Sequence, residues 1–259
     1  MKQFEARIES NREVAPRWRE LVLSWDPGAG RPLPGQFMTL RATARHDPLL
    51  RRPLAFSGAS FDAARVSAVY QVRGSATLML SELAPGSALD LLGPLGRPFP
   101  APDRGERPLL AAGGIGLGPV LYLARELGAA GLEPLLAVGF RDKGALPDIE
   151  LPAGAVVCTD DGSAGFRGFP PDWMSRNVPA STRARLYGCG PGPMLAALAS
   201  LATSRGWAAS LSAEQWMACG VGACMGCVLP RTGGGYLRAC ADGPVFERDE
   251  IDWAAEATR

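Results

Sequence analysis

The feature that most constrains this chain is a block of four cysteines near its C-terminal end. The segment MACGVGACMGCVLPRTGGGYLRACADGPVF spaces Cys219, Cys224, Cys227 and Cys240 as C-x4-C-x2-C-x12-C. A block this dense in Cys and Gly has little room for a hydrophobic core of its own. A metal bound by its thiolates supplies the missing stability. Gly220, Gly222 and Gly226 let the backbone pass close to the sulfurs and turn N–H groups toward them. The fourth thiol arrives from a separate turn, after a hairpin through Gly233–Gly235.

The spacing selects the metal. Zinc sites favour two short C-x2–4-C knuckles. Here one C-x2-C and one C-x4-C share their central Cys, and the fourth Cys stands alone. The first three match plant-type 2Fe–2S ferredoxin spacing. A 2Fe–2S cluster on Cys219, Cys224, Cys227 and Cys240 is the expectation, with zinc as the rival. Of the two other cysteines, Cys158 sits in an apolar strand pattern and reads as a core filler. Cys189 lies in a Gly-rich turn, where packing and ligand contact are both open.

The remaining composition is that of a globular chain. Hydrophobic residues make up 47 % and charged residues 20 %, and the net charge is +1. That balance leaves no basic footprint for nucleic acid. No uncharged stretch approaches the ~20 apolar residues that would span a bilayer. The N-terminal MKQFEARIESNREV lacks the apolar core of a signal peptide. A soluble, cytoplasmic protein without membrane insertion is expected. In that compartment cysteines favour metal or redox roles over disulfides.

Residues 1–100 carry short strand patterns, WRELVLSWD, QFMTLRAT, PLAFSGAS and RVSAVYQV, punctuated by Gly and Pro. They predict an antiparallel β-barrel, with one short helix over residues 77–83. PAPDRGERP reads as a linker. Over 101–210 strands alternate with helices, which predicts an α/β domain with a parallel sheet. Residues 211–259 form the cluster domain.

Two glycine turns mark the α/β part. AAGGIGLGP (111–119) follows an apolar strand and opens a helix, leaving helix N-terminal amides for phosphate. YGCGPGPM (187–194) does the same after a later strand. Two such turns at strand C-termini point to a dinucleotide site, although neither has the G-x-G-x-x-G spacing. Asp160-Asp161-Gly162-Ser163 reads either as a solvated turn or as a contact to cofactor hydroxyls. In the barrel, Arg51-Arg52-Pro53-Leu54 precedes a strand, where an Arg can fork onto a phosphate. Gly74-Ser75-Ala76-Thr77 opens the short helix, and reads as a helix cap or a pyrophosphate contact. His46, the one histidine, receives no role.

In order, RRPLAFS, YQVRGSAT, GPLG, GGIGLGP, DDGSAGFRG, YGCGPGPM, MACGVGACMGC and CADGPVF resemble the electron-transfer subunit of the heterodimeric, NAD-linked dihydroorotate dehydrogenases. The likeness covers nearly the whole chain. It implies an FAD-binding barrel, an NAD-binding α/β domain and a C-terminal 2Fe–2S domain, the ferredoxin-reductase-like plan. It also implies a partner, an FMN-containing catalytic subunit that oxidises dihydroorotate in pyrimidine biosynthesis, in a heterotetramer. By that likeness Arg52, Pro53 and Leu54 lie along FAD, Tyr70 and Val72 near the flavin ring, and Gly74, Ala76 and Thr77 near the pyrophosphate. Gly113, Gly114, Ile115 and Gly116, with Cys189, Gly190 and Pro191, line the NAD site. Two positions depart from the family pattern: Ala55 replaces a Ser or Thr, and Ala76 replaces a Gly.

The expected function is an electron relay. Nicotinamide moves two electrons as hydride, a cluster moves one, and a flavin handles both. No side-chain acid or base is obligatory for that scheme. Two other readings stay open at this stage: a reductase subunit of a hydrogenase or transhydrogenase complex, and a flavin-free electron-transfer or sensing module.

Overall fold

The computed structural model describes residues 1–43 and 47–258, so His46 lies outside the described residues. The first body is a seven-stranded antiparallel sheet. Its strands are β1 (Lys2–Ala15), β2 (Trp18–Ser24), β3 (Phe37–Arg41), β4 (Arg52–Ala55), β5 (Gly58–Ser60), β6 (Arg65–Gln71) and β7 (Ala88–Leu95). They lie in the order β4-β3-β7-β1-β2-β6-β5. The two outermost strands, β4 and β5, are consecutive in the chain, with only Phe56 and Ser57 between them. The sheet therefore has to curl until its edges meet, which makes it the expected barrel. The amide of Phe56 donates to the Gln36 carbonyl (3.2 Å) and that of Ser57 to the Ser67 carbonyl (2.8 Å), closing the corner.

PLAFSGAS is thus two strands around a corner, not one. The sequence patterns also missed β1 and β7. In β1 most outward positions are charged or polar, and Ala6, Ile8 and Val14 turn fully into the core, with Phe4 packed against it. In the barrel interior the Trp25 ring meets Phe4 and Phe56 edge-on, at centroid distances of 5.0 and 5.4 Å. The short helix α1 spans Ser75–Glu82.

The second sheet contains β8 (Arg107–Gly113), β9 (Leu135–Phe140), β10 (Val156–Thr159), β11 (Phe166–Arg167), β12 (Ala184–Cys189) and β13 (Ala208–Ser212). All pair in parallel, in the order β11-β10-β9-β8-β12-β13. Helices α2 (Leu117–Ala129), α3 (Pro170–Asn177) and α4 (Gly192–Arg205) form the connections. From β8 the chain builds outward to β11, then returns to lay β12 on the other side of β8. The crevice between the C-terminal ends of β8 and β12 is the topological switch point, where open α/β sheets take their ligands.

The C-terminal block contributes a small hairpin, β14 (Val228–Pro230) and β15 (Tyr236–Arg238), then β16 (Val245–Glu247) and helix α5 (Trp253–Glu256). β16 pairs antiparallel with β13 and extends the second sheet. Residues 211–259 therefore share a sheet with the α/β body.

Side chains lock the bodies together. Tyr122 of α2 packs into the barrel core and donates to the Pro32 carbonyl (2.8 Å). Phe37 and Leu95 of the barrel join one apolar cluster with Leu229, Phe246, Cys227 and Cys240. Arg97 of the barrel pairs with Glu250 and donates to the Val245 carbonyl (2.9 Å).

Candidate functional site

The four cysteines converge as two pairs. Sγ of Cys227 and Sγ of Cys240 are 3.2 Å apart, and both residues are buried. Cys219 and Cys224 pair at the outer end of the loop, where Cys224 is exposed. The β14–β15 hairpin delivers Cys240: the Ala239 amide donates to the Cys227 carbonyl (2.9 Å), and the Cys240 amide points at the Cys227 sulfur (3.4 Å). Amides of Val221 and Ala223 aim at the Cys219 sulfur (3.4 and 3.3 Å) and that of Gly222 at Cys240 (3.1 Å). Burial pushes the Cys219 thiol up, but these amides, with the amide and thiol of Cys224, outweigh it and bring it down to about 6. Burial and the adjacent Cys227 thiol push Cys240 up to about 12.

Among the described residues, no three His, Cys, Asp or Glu side chains gather around one point as a single ion requires. Two thiol pairs with amides turned onto their sulfurs fit two irons better than one zinc. Arg238 clasps the site. Its backbone amide and side chain hold Asp242 at 2.8 to 2.9 Å, and its Nη1 donates to the Gly222 carbonyl (2.9 Å). The Arg238 contact also holds the Asp242 carboxyl below its usual range.

The loop rests on the barrel. Gly220 has φ +70°, and a Cβ there would lie 2.9 Å from Cγ2 of Thr39. Thr39 on β3 is the register partner of Pro53 on β4. One side chain therefore separates the cluster loop from the strand along which FAD is expected. At the loop tip Met225 is exposed and holds φ +57°, a left-handed conformation uncommon for a residue with a Cβ.

The two arginines before β4 have different fates. Arg51 is tied to Asp90 by an ion pair and to the Asp90 carbonyl (3.0 Å). Arg52 reaches the Leu50 carbonyl (2.9 Å), yet its Nε is buried without a partner. A buried, unpaired guanidinium donor is the residue type and state that fits a phosphate. β4 is the outermost strand in the ladder, so the missing N–H of Pro53 breaks nothing central. Leu54 turns into the barrel.

The other barrel positions divide. Tyr70 is a core residue at 1 % exposure, its hydroxyl donating to Oδ1 of Asn11 (3.0 Å). Val72 is half-buried and doubly hydrogen-bonded to Arg17. The Thr77 hydroxyl accepts from the amides of Arg73 and Gly74 (2.9 and 3.1 Å) and donates to the Gly74 carbonyl (3.0 Å). Its side chain is therefore a helix cap. Ala76 is buried.

The nucleotide turns lie side by side, Ala112 and Cys189 being register partners. A Cβ on Gly116 would come within 2.2 Å of the Cys189 carbonyl oxygen, so only Gly lets the turns approach this closely. Gly113 packs in the same way against Pro191 and Met194. Gly114 and Ile115 are half-buried, and Gly190 is buried behind an exposed Pro191. The Cys189 side chain is buried, and burial holds its thiol well above the ordinary value. Cys158 is fully buried, as expected, and burial pushes it up to about 12. The Asp161 carboxylate accepts from the Ser163 amide (2.9 Å), and Ser163 Oγ accepts from the Lys143 amide (2.7 Å), so both side chains are engaged by backbone amides.

Comparison with known proteins follows the same lines. Residues 214–252 match the family model described as the iron-sulfur cluster binding domain of dihydroorotate dehydrogenase B. Over its length the chain is 34 % identical to a Desulforamulus reducens protein named dihydroorotate dehydrogenase B (NAD(+)), electron transfer subunit, covering 97 % of this chain and 99 % of that one. It is 38 % identical to the protein of that name from Bacillus caldolyticus, covering 94 % and 96 %. The chain belongs to this family. Dihydroorotate dehydrogenase B electron-transfer subunits thus match it along nearly its whole length, from barrel to cysteine block. Among solved structures, an NADH-dependent reduced ferredoxin-NADP oxidoreductase studied for flavin-based electron bifurcation superimposes with a TM-score of 0.84 at 27 % identity, covering 98 % of this chain and 91 % of that one. Phthalate dioxygenase reductase shares the fold, with a TM-score of 0.61 at 24 % identity, covering 78 % and 64 %.

The sequence patterns overlooked Thr39 and the Arg238–Asp242 clasp. Thr39 lies outside the cysteine and glycine motifs, and nothing in its local spacing marks it.

Proposed function

We propose that this chain is the electron-transfer subunit of an NAD-linked dihydroorotate dehydrogenase. It passes electrons from an FMN-containing catalytic subunit, through a 2Fe–2S cluster and FAD, to NAD⁺. The observation that carries the reading is the contact of Gly220 with Thr39, which sets the cluster loop one side chain from the Arg52–Leu54 strand. When bound, the cluster supplies one-electron transfer, the flavin converts it to two-electron chemistry, and nicotinamide accepts hydride.

The protein's part is position and field. Cys219 and Cys224 would hold one iron, and Cys227 and Cys240 the other. The amides at Val221, Gly222 and Ala223 stabilise negative charge on the sulfurs, which favours the reduced cluster. Arg52 and the N-terminal amides of α1 hold the FAD phosphates. The paired turns at Gly113–Gly116 and Gly190–Pro191 seat the dinucleotide at the switch point. Trp216, Val221 and Met225, all exposed beside the cysteines, form the docking face for the catalytic subunit in a heterotetramer. No helix among the described residues is long and apolar enough to cross a membrane.

A visible spectrum of the protein purified without air tests the reading. Cluster and flavin bands are expected, both bleached by NADH. Reconstitution with the FMN subunit should give dihydroorotate:NAD⁺ activity. A colourless, zinc-loaded protein would refute it.

A further inference from the structure

The four thiols reach the site on two separate pieces of chain. Cys219, Cys224 and Cys227 come from the glycine-rich loop, and Cys240 comes from the turn that follows β15. One side chain joins the two pieces. Arg238 ends β15, two residues before Cys240. Its carbonyl accepts from the Asp242 amide (2.9 Å) and the Gly243 amide (3.2 Å), so the turn that carries Cys240 curls back onto it. Its side chain reaches the other piece, where Nη1 donates to the Gly222 carbonyl (2.9 Å). Gly222 is also the residue whose amide donates to the Cys240 sulfur (3.1 Å).

The direction of that reach is fixed. A guanidinium is a rigid plane of donors. Nε and Nη2 of Arg238 take the two oxygens of Asp242, both at 2.9 Å, and the Arg238 amide holds Oδ2 as well (2.8 Å). The bidentate pair sets the plane, which leaves Nη1 aimed at Gly222. Gly222 has no slack on its other side. It holds φ +82°, and a Cβ there would lie 2.8 Å from Cβ of Ala241 and 3.2 Å from Nη1 of Arg238. Arg238 and Asp242 are both half-buried. An ion pair this open to water adds little stability. What it adds here is direction, at a residue whose amide bonds a ligand sulfur.

We infer that the Arg238–Asp242 pair is a positioning device that sets the reduction potential of the cluster. Asp242 orients the guanidinium, the guanidinium holds the Gly222 carbonyl, and the Gly222 amide is thereby kept on the Cys240 sulfur. An N–H on a ligand sulfur stabilises the more negative, reduced state and so raises the potential. The position of Gly222 carries the effect, and the charge of Arg238 does not. Arg238 and Asp242 bring opposite charges to the same place, so the pair adds little net field at the sulfurs. This inference rests on the 2Fe–2S reading above.

The test is a redox titration of the purified subunit with both cofactors, without air, with the reduced cluster read by electron paramagnetic resonance. Arg238→Lys keeps the charge but offers a point donor that cannot grip both oxygens of Asp242 and Gly222 as well. Its reduction equilibrium should fall about tenfold, a shift of about 59 mV to lower potential for one electron. Asp242→Asn decides between position and charge. Removing a negative charge would by itself raise the potential. Loosening the guanidinium lowers it, and a fall is expected. Wild-type iron content is expected in both variants, because all four thiols remain. If Arg238→Lys keeps the wild-type potential, or Asp242→Asn raises it or leaves it unchanged, the proposal fails. Loss of iron in both variants would make the clasp a folding element and overturn it too. If the wild-type protein holds no 2Fe–2S cluster, the reading of the site itself fails, and the proposal with it.

Discussion

The sulfurs of Cys227 and Cys240 approach to 3.2 Å although twelve residues and a hairpin lie between them in the chain. That inner pair is also the buried pair. Cys240→Ala should therefore abolish the visible cluster bands and lower iron to background, while the flavin band remains. Iron analysis and absorbance check it. A variant retaining two irons per chain would move the fourth ligand elsewhere.

The two arginines before β4 should separate cleanly. Arg52→Ala removes the guanidinium with the unpaired buried Nε. A charge-assisted contact of about 1.5–3 kcal/mol corresponds to a loss of FAD affinity of roughly ten- to a hundredfold. Arg51→Ala breaks the tie to Asp90 and should lower thermal stability with FAD still bound. Flavin content after gel filtration distinguishes the two, and equal flavin loss in both would remove the special role of Arg52.

Tyr70 carries a pH signature. Burial raises its phenol from 10 to about 12, while the Asn11 hydrogen bond works against the rise. A group whose folded pKa is raised contributes stability that is complete below its unfolded value and lost on the way to its folded one. Stability should therefore decline from pH 10 to about 12. In Tyr70→Phe that part of the decline disappears, and stability at neutral pH falls by about 1 kcal/mol with the lost hydrogen bond. FAD content should not change, because the ring faces the core. Denaturation across pH measures the first effect and absorbance the second.

Gly116→Ala sets a methyl group 2.2 Å from the Cys189 carbonyl oxygen. The turns must separate, at a cost of about 1–3 kcal/mol. NADH should then bleach the flavin at least tenfold more slowly, with cluster and flavin bands intact. Unchanged kinetics of reduction would mean that the paired turns do not seat the nucleotide.

Met225→Glu places a charge at the exposed tip of the cluster loop. Binding to the FMN subunit should weaken by at least 1.4 kcal/mol, about tenfold. Met225→Gly relieves the positive φ and serves as the control for loop geometry. Calorimetry of subunit association gives both values, and wild-type affinity in the Glu variant would place the docking face elsewhere.

Elements with strong local signals were legible in advance. The hairpin through Gly233–Gly235, the strand–turn–helix units and the helix near Thr77 all appeared, the last beginning at Ser75 because the Thr77 hydroxyl caps Gly74. β1 was hidden by its charged outward face. β7 was hidden because ALDLLGPL lacks β-branched residues and carries Gly and Pro. Tyr70 was assigned to the flavin by resemblance, and its direction could not be read. Side chains in a strand alternate faces, so register decides which way each one points.

The sequence by itself determined the chemistry of the cysteine block and the two nucleotide turns. Those signals are local: a loop of a few residues must carry thiols and glycines at set spacings, whatever surrounds it. Only the tertiary structure decided that Thr39 separates the cluster loop from β4, and that β16 completes the second sheet. Each depends on which faces of distant segments are buried together, and burial is a property of the assembled chain.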